Sequence, residues 1–247
     1  MLLGKLVIIM AAKRVVFVIV EGPTDEDALG VIFQRFFDKN TVRVKVIHGD
    51  ITTERQVNSS NILNHITETV QQSLKEYKLH KTDLLRVIHL VDTDGAFVPD
   101  SAIVFDEHAD KPIYSTTSIK TANPEGLIRR NQQKRANLSK LHSAQFIWKD
   151  IPYGVFYLSS NLEHALYDEL NLSDEEKETK ALQFAKKYIN DIPAFIEFVR
   201  NSEFAVVDGY LPSWSFIKQD LRSLERHSNI GICFNKEIVS GVEDQII

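Results

Sequence analysis

The sequence contains very little cysteine: Cys233 stands alone among 247 residues. A single cysteine excludes an intramolecular disulfide and a zinc cluster of several thiolates, and it favours a reducing compartment, so we expect a cytoplasmic protein. No apolar run approaches the roughly 18 residues of a membrane span. The short apolar start is followed by Lys13 and Arg14 and is a weak imitation of a signal peptide. Because the first strand begins only at Val15, Met10 is an alternative start.

The chain also lacks the motifs of several enzyme classes. No G-x-x-x-x-G-K-[ST] occurs, so the chain carries no Walker-type ATPase, and neither G-x-S-x-G nor H-E-x-x-H is present. The net charge of −5 argues against wholesale electrostatic attraction to nucleic acid and leaves room for a local basic patch. Hydrophobic residues at 43% and charged residues at 26% are ordinary for a globular protein with a sizeable core.

What is present is an alternation of strand and helix patterns, which predicts an α/β fold with a mainly parallel central sheet. The β-branched and apolar runs predict strands at residues 15–20, 41–48, 84–91 and 153–158. Helical spacing of apolar residues follows the first and second of these strands, and a polar helix opens at Asn123 and Pro124. We predict a domain over residues 1–170 and a mainly helical C-terminal extension over residues 171–247, either a cap on the sheet or an oligomer or partner surface.

The first candidate site residue is Glu21, in the stretch VVFVIVEGPTDED. Val15–Val20 has the continuous apolar pattern of a strand buried on both faces, and Glu21 is the first residue after it. The carboxyl edge of an open parallel sheet is where such folds bind ligands. The acidic residues that follow have a simpler explanation, because Thr24 and Asp27 have the spacing of a helix capping box.

The second candidate is the pair Asp92 and Asp94, in the stretch RVIHLVDTDGAF, where another buried strand ends in carboxylates. Side chains two apart on a strand point to the same side, so the two carboxylates converge if the strand continues to Asp94. Like charges held together need a cation, and oxygen ligands suit Mg²⁺ or Mn²⁺. The alternative is a turn in which Asp94 and Gly95 simply reverse the chain.

Together these motifs resemble the toprim domain shared by topoisomerases, primases and many nucleases. The resemblance covers about residues 14–120 and consists of a strand ending in Glu21 and a glycine, then a strand ending in Asp92-x-Asp94 and a glycine. It implies a toprim-like Rossmannoid domain. It also implies that Glu21, Asp92 and Asp94 hold one or two divalent ions that act on a phosphodiester.

A further carboxylate, Glu163, follows the last predicted strand in the stretch FYLSSNLEHALYDEL. The segment is similar to an Asn and Glu cluster in small stand-alone toprim nucleases of the OLD and phage-defence kind. By that resemblance Glu163 would help to hold a second ion, because two-metal sites stabilise both the attacking and the leaving oxygen. The alternative is a helix capped by Ser160 or Asn161, with Glu163 in its first turn.

Residues 123–149 reverse the overall charge, with six basic residues against one acidic residue. Arg130 and Lys134 are four apart and share a helix face, a spacing that suits phosphate contacts. The alternative is a merely solvated surface. The predicted nucleic-acid contacts are Arg129, Arg130, Lys134 and Arg135.

These patterns predict a Mg²⁺- or Mn²⁺-dependent nuclease. The family resemblance implies a toxic effector in phage defence, with any ATPase supplied by a separate partner. Two alternatives stay open: a non-catalytic module that binds nucleic acid or a partner, and an RNA-processing maturase. The sequence leaves DNA and RNA equally open as substrates and does not determine the trigger or the oligomeric state.

Overall fold

A computed structural model of the protein describes residues 15–37, 42–46 and 50–235. Met10 and the ends of the predicted strand at residues 41–48 lie outside these ranges. The strands are β1 (Val15–Val20), β2 (Val42–Val46), β3 (Leu84–Asp92), β4 (Ile103–Phe105), β5 (Ile113–Tyr114), β6 (Ile119–Thr121), β7 (Phe146–Ile147) and β8 (Ile151–Leu158). The helices are α1 (Pro23–Phe37), α2 (Ile62–Glu76), α3 (Pro124–His142), α4 (Leu162–Tyr167), α5 (Asp174–Tyr188), α6 (Ile192–Asn201) and α7 (Tyr210–Ile217).

The central sheet has five strands in the order β2-β1-β3-β8-β7. The first four are parallel, and the short edge strand β7 is antiparallel to β8. The prediction of an α/β fold with a mainly parallel sheet is confirmed. Because the chain passes from β1 to β2 on one side and then to β3 on the other, the order reverses beside β1. Such a reversal opens a crevice at the carboxyl ends of the strands.

Helices cover both faces of this sheet, which explains why β1 is apolar along its whole length. Val16 and Val18 pack on one side with α1, α5 and α6, whereas Phe17 and Ile19 pack on the other with α2, α3 and α7. Every residue of β1 is buried. Alternate side chains of a strand point to opposite faces, so a strand between two helical layers needs apolar residues at every position.

The part of the chain after residue 170 is helical and shares the main core. Phe184 of α5 and Phe195 and Val199 of α6 belong to the same apolar cluster as α1. The division of domains at residue 170 stays a prediction. None of the helices in the described ranges is both long and apolar enough to cross a membrane.

The start of α1 differs from the expected capping box. The helix begins at Pro23, whose missing N–H is tolerated in the first turn. The carboxylate that reaches back belongs to Asp25, which accepts a hydrogen bond from the Gly22 N–H at 2.9 Å. The predicted Thr24 cap is therefore wrong, since Thr24 already lies inside the helix.

Candidate active site

A cleft of about 420 Å³ lies at the carboxyl edge of the central sheet. Its walls come from the ends of β1 and β3, the first turns of α1 and α4, and one side chain of α5. Five carboxylates and one lysine line it, and we call four of these acids, Glu21, Asp25, Asp92 and Glu163, the cleft carboxylates. The fifth acid is Asp50 and the lysine is Lys177.

Glu21 and Asp92 are joined across neighbouring strand ends. The Asp92 N–H donates to Glu21 Oε1 at 3.2 Å, so the Glu21 side chain lies at the end of β3, as the parallel pairing of the strands predicts. Burial raises the pKa of Glu21 well above its usual range, with Asp50 adding to the increase and Lys134 opposing it. Burial also raises the pKa of Asp92 well above its usual range, and the charge of Glu21 raises it further. Both carboxylates therefore gain from a bound cation.

Asp25 and Glu163 also line the cleft. Burial raises the pKa of Asp25 to about 6, despite the hydrogen bond from Gly22, and the Glu163 charge adds to the increase. Glu163 is 3% exposed, and its Oε1 lies 3.5 Å from Lys177 Nζ. Asn161 caps α4 by accepting from the His164 N–H at 2.9 Å. The alternative that Asn161 caps this helix is therefore correct. Glu163 lies in the first turn of the helix and also lines the cleft.

Asp94 does not continue the strand geometry, because strand β3 ends at Asp92. Asp94 has a left-handed backbone with φ of 47°, and its N–H donates to the Ser160 carbonyl at 2.7 Å. Its carboxylate accepts from Lys134 Nζ at 2.5 Å and is not among the described groups that line the cleft. The condition for convergence, a strand that continues to Asp94, is therefore not met, but the charge of Asp94 still raises the pKa of Asp92.

The turn that redirects Asp94 is held on two sides. Thr93 is buried; its hydroxyl donates to the Ser223 carbonyl at 3.1 Å and accepts from the Ser160 N–H at 2.9 Å. Gly95 has φ of +63°, and a Cβ there would lie 2.7 Å from Leu224 Cδ2. Only glycine fits this turn without strain, so the Asp-Gly turn alternative describes the backbone correctly.

Lys134 is not on the surface, which corrects its predicted role as a phosphate contact. Its side chain is 0% exposed, and Nζ donates to Asp50 Oδ2 at 2.7 Å as well as to Asp94. Burial alone would lower the pKa of this ammonium, but Asp94 and Asp50 outweigh burial and hold the pKa well above its usual range. For Asp50 burial alone would raise the pKa, and Lys134 outweighs it and holds the pKa below the usual range.

The other predicted nucleic-acid contacts divide between the interior and the surface. Arg130 is partly buried, and its Nη2 donates to the Asp94 carbonyl at 2.9 Å. Arg129 is exposed and lies 3.7 Å from Glu125, one helical turn away. Arg135 is half-exposed and lies 3.7 Å from Asp100. The predicted basic face is therefore reduced to Arg129 and Arg135.

Asp25, Asp50 and Lys177 were missed as site residues. Asp50 had a weaker pattern, since it is an acidic residue four positions after the end of β2, whereas Glu21 follows β1 directly. Asp25 was assigned to helix capping, which it also performs. Lys177 lies in the extension, far along the chain, and nothing in the sequence connects it with the sheet edge.

The donors of the cleft fit a hard divalent cation, because all of its acidic groups are carboxylates at strand and helix ends. Within residues 15–37, 42–46 and 50–235, however, no three His, Cys, Asp or Glu side chains converge closely enough to hold a metal ion as they stand. Binding at Glu21 and Asp92 therefore requires side-chain rotation or water ligands, which Mg²⁺ usually retains.

Comparison with known protein families, curated proteins and solved structures finds no match for this chain. The toprim resemblance therefore stays a prediction that depends on the two motifs and their order.

Proposed function

We propose that this protein is a Mg²⁺- or Mn²⁺-dependent nuclease of the toprim kind, which hydrolyses phosphodiester bonds of DNA or RNA. The observation that carries this proposal is the cleft at the sheet edge, where five carboxylates face one lysine. Such a surplus of negative charge is unfavourable without a cation. Carboxylate oxygens are the ligands that Mg²⁺ and Mn²⁺ prefer.

In this proposal Glu21 and Asp92 hold the ion, and Asp25 and Glu163 flank it. When bound, the ion supplies Lewis-acid polarisation of the phosphate and lowers the pKa of the attacking water. Glu21 has a second role open to it as a general acid or base, because burial raises the pKa of its carboxyl group. Lys177, which lies beside Glu163, offers a cation to a substrate phosphate.

The cellular role that we propose follows from the family resemblance alone. It is that of a toxic cytoplasmic effector in phage defence, controlled by a separate ATPase partner. The alternative of an RNA-processing maturase shares the same site and differs in its substrate.

A second candidate function is a non-catalytic module that binds nucleic acid or a partner protein. One observation favours it: in the described part of the chain no three potential ligands are already in place around an ion position. In that case the carboxylates are a structural feature and the exposed Arg129 and Arg135 would carry binding.

Cleavage assays decide between these functions. Plasmid DNA and total cellular RNA are incubated with Mg²⁺, Mn²⁺ or EDTA and the native protein, Glu21→Ala or Asp92→Ala. Glu26→Ala is the matched control, because Glu26 is an exposed carboxylate on α1. We expect metal-dependent cutting that disappears in the two site variants and persists in the control.

Each other result has a defined meaning, provided that circular dichroism shows all variants folded. Cutting confined to one structured RNA would favour the maturase. Cutting that survives in both site variants would contradict the proposed site. Absence of cutting together with nucleic-acid binding that Glu21→Ala leaves intact would favour the binding module.

A further inference from the structure

Lys134 is a fully buried charge in the middle of α3, next to the cleft but not lining it. Burial of an ammonium is unfavourable unless it is paired and hydrogen-bonded. Lys134 has two carboxylate partners, Asp94 at 2.5 Å and Asp50 at 2.7 Å. We call Lys134, Asp50 and Asp94 the Lys134 cluster.

Both aspartates of the cluster are also held by residues other than Lys134. Asp50 Oδ1 accepts from the Thr52 N–H at 2.8 Å and from the Thr52 hydroxyl. The backbone of Asp94 is fixed by bonds to the Ser160 carbonyl at 2.7 Å and from Arg130 at 2.9 Å. These contacts hold the Asp50 carboxylate and the Asp94 backbone, so the cluster differs from a mobile surface ion pair.

The cluster adjoins the candidate site, and only its Asp50 lines the cleft. Asp50 lines the cleft together with Glu21 and Asp92, and Asp94 lies two residues after Asp92 at the end of β3. Two-metal nuclease sites place their ions about 3.5–4 Å apart, on carboxylates that neighbouring elements supply. Here an ammonium already lies between two of the available carboxylates.

We propose that Lys134 is a built-in cation of this site: it occupies the position between Asp50 and Asp94, so that the cleft binds one divalent ion, at Glu21 and Asp92, instead of two. The inference rests on the proposed metal-dependent function and specifies its stoichiometry. Lys134 acts through the two aspartates and is a positioning residue. Asp94 is accordingly a ligand of Lys134 and not of the ion.

The test measures Mn²⁺ binding to the full-length protein by titration calorimetry and by electron paramagnetic resonance of free Mn²⁺. We expect one Mn²⁺ per chain for the native protein and for Asp94→Asn. Asp92→Asn should weaken binding by at least about 100-fold, since even outer-shell partners of a metal contribute about 10–100-fold to its affinity. Two ions in the native protein, or loss of the single ion in Asp94→Asn, would overturn the inference.

Lys134→Gln provides the decisive variant, because it removes the charge and frees Asp50 and Asp94 for a second ion. We expect its stoichiometry to rise from one to two Mn²⁺, and to return to one when Asp94→Asn is added. Lys140→Gln is the matched control, since Lys140 is exposed on the same helix, and it should bind one ion. A single ion in Lys134→Gln would mean that Lys134 has only a structural role.

Folding of Lys134→Gln is followed by thermal unfolding with EDTA and with Mn²⁺. If a second ion replaces the ammonium, Mn²⁺ raises the melting temperature of Lys134→Gln more than that of the native protein. Equal increments would contradict the inference even where the variant is too unstable for calorimetry.

Stoichiometry and cleavage separate the two proposals. One ion without any cleavage of DNA or RNA would contradict the nuclease and leave the role of Lys134 standing. Two ions in the native protein with metal-dependent cleavage would contradict the role of Lys134 and leave the nuclease standing.

Discussion

The two acidic regions at the sheet edge contain the same kind of side chain, but the pKa of Asp50 in one is shifted in the opposite direction to the pKa values of Glu21 and Asp92 in the other. In the Lys134 cluster an internal ammonium holds the pKa of Asp50 below its usual range. Among the cleft carboxylates burial raises the pKa of Glu21 and of Asp92. The difference teaches that burial alone does not define a metal site. A buried carboxylate demands an external cation only where the fold has not provided an internal one.

The largest expected effect that tests this comparison is on catalysis. Asp92→Asn should lower the cleavage rate by about 100- to 1000-fold, as for loss of a group that stabilises transition-state charge. Asp50→Asn acts through Lys134 and should lower the cleavage rate less, by about 10-fold, as for an outer-shell partner of a metal. Rates on plasmid DNA or RNA with saturating Mg²⁺ check the order. Equal losses would remove the distinction between the two regions.

The next effect is on stability. Lys134→Gln leaves two partly buried carboxylates without their cation and should lower the free energy of unfolding in EDTA by about 3 kcal/mol, the lower end of the cost of breaking a buried ion pair. Adding Asp50→Asn and Asp94→Asn should recover more than half of this loss, because the repulsion disappears with the charges. Urea unfolding followed by circular dichroism measures both. Lys140→Gln, an exposed change on α3, should stay within about 0.5 kcal/mol of the native protein.

The turn that directs Asp94 towards Lys134 can be tested at Gly95. Gly95→Ala should lower the free energy of unfolding by about 2–3 kcal/mol, because φ is +63° and the new Cβ would lie 2.7 Å from Leu224 Cδ2. Gly22→Ala is the control at the other strand end, where the nearest atom would be 3.8 Å away, in ordinary contact. A Gly95→Ala protein as stable as Gly22→Ala would show that this turn does not constrain Asp94.

The charge of the cleft carboxylates should also make the free energy of unfolding depend on pH. Burial raises the pKa of Asp25 from 3.8 to about 6, so its stabilising contribution is present below about pH 3.8 and is lost as the pH rises through 6. Asp25→Asn keeps an acceptor for the Gly22 N–H without the charge. Its stability relative to the native protein should therefore increase between pH 4 and pH 7 by about 2 kcal/mol, since each pH unit of pKa difference corresponds to about 1.4 kcal/mol.

Urea unfolding in EDTA at both pH values makes the measurement, with Asp27→Asn as the exposed control on the same helix. Divalent ions should reduce the Asp25→Asn gain at pH 7 if they bind beside Asp25. A difference that is flat for both variants would show that Asp25 is not destabilised by charge.

The smallest effect concerns nucleic-acid binding by the exposed basic residues. Arg129→Gln should weaken DNA or RNA binding modestly and lower the slope of log affinity against log salt by about 0.7–0.9, the value for one phosphate contact. Fluorescence anisotropy at several salt concentrations measures it, with Lys120→Gln, an exposed lysine on β6, as the control. An unchanged slope would remove Arg129 from the contact surface.

Much of the candidate site was predictable because it depends on strand order. Buried runs ending in Glu21 and Asp92 predict parallel strands whose carboxyl ends share one edge, and the structure brings these residues together. Asp94 was not predictable in the same way. Its direction depends on a hydrogen bond to Ser160, which is distant in sequence, and this bond holds the turn in a left-handed conformation.

The basic run along α3 also shows what a sequence pattern can and cannot predict. Patterning predicted α3 and its Asn123 start correctly, and Asn123 accepts from the Gly126 N–H at 2.9 Å. The buried face of this helix includes Lys134 and Asn137, which hydrophobic periodicity would assign to solvent. Asn137 donates to the Thr52 carbonyl at 2.7 Å, so a polar face is buried where another segment supplies its partners.

The sequence by itself therefore determined the fold class, the strand ends that carry Glu21 and Asp92, and the cluster of positive charge along α3. Only the tertiary structure decided that Lys134 turns inward, that Asp50 and Asp94 receive it, and that Asp25 and Lys177 join the cleft. The reason is physical. Apolar periodicity reports which faces leave water, whereas the pairing of buried charges depends on which distant segments the fold brings within hydrogen-bond distance.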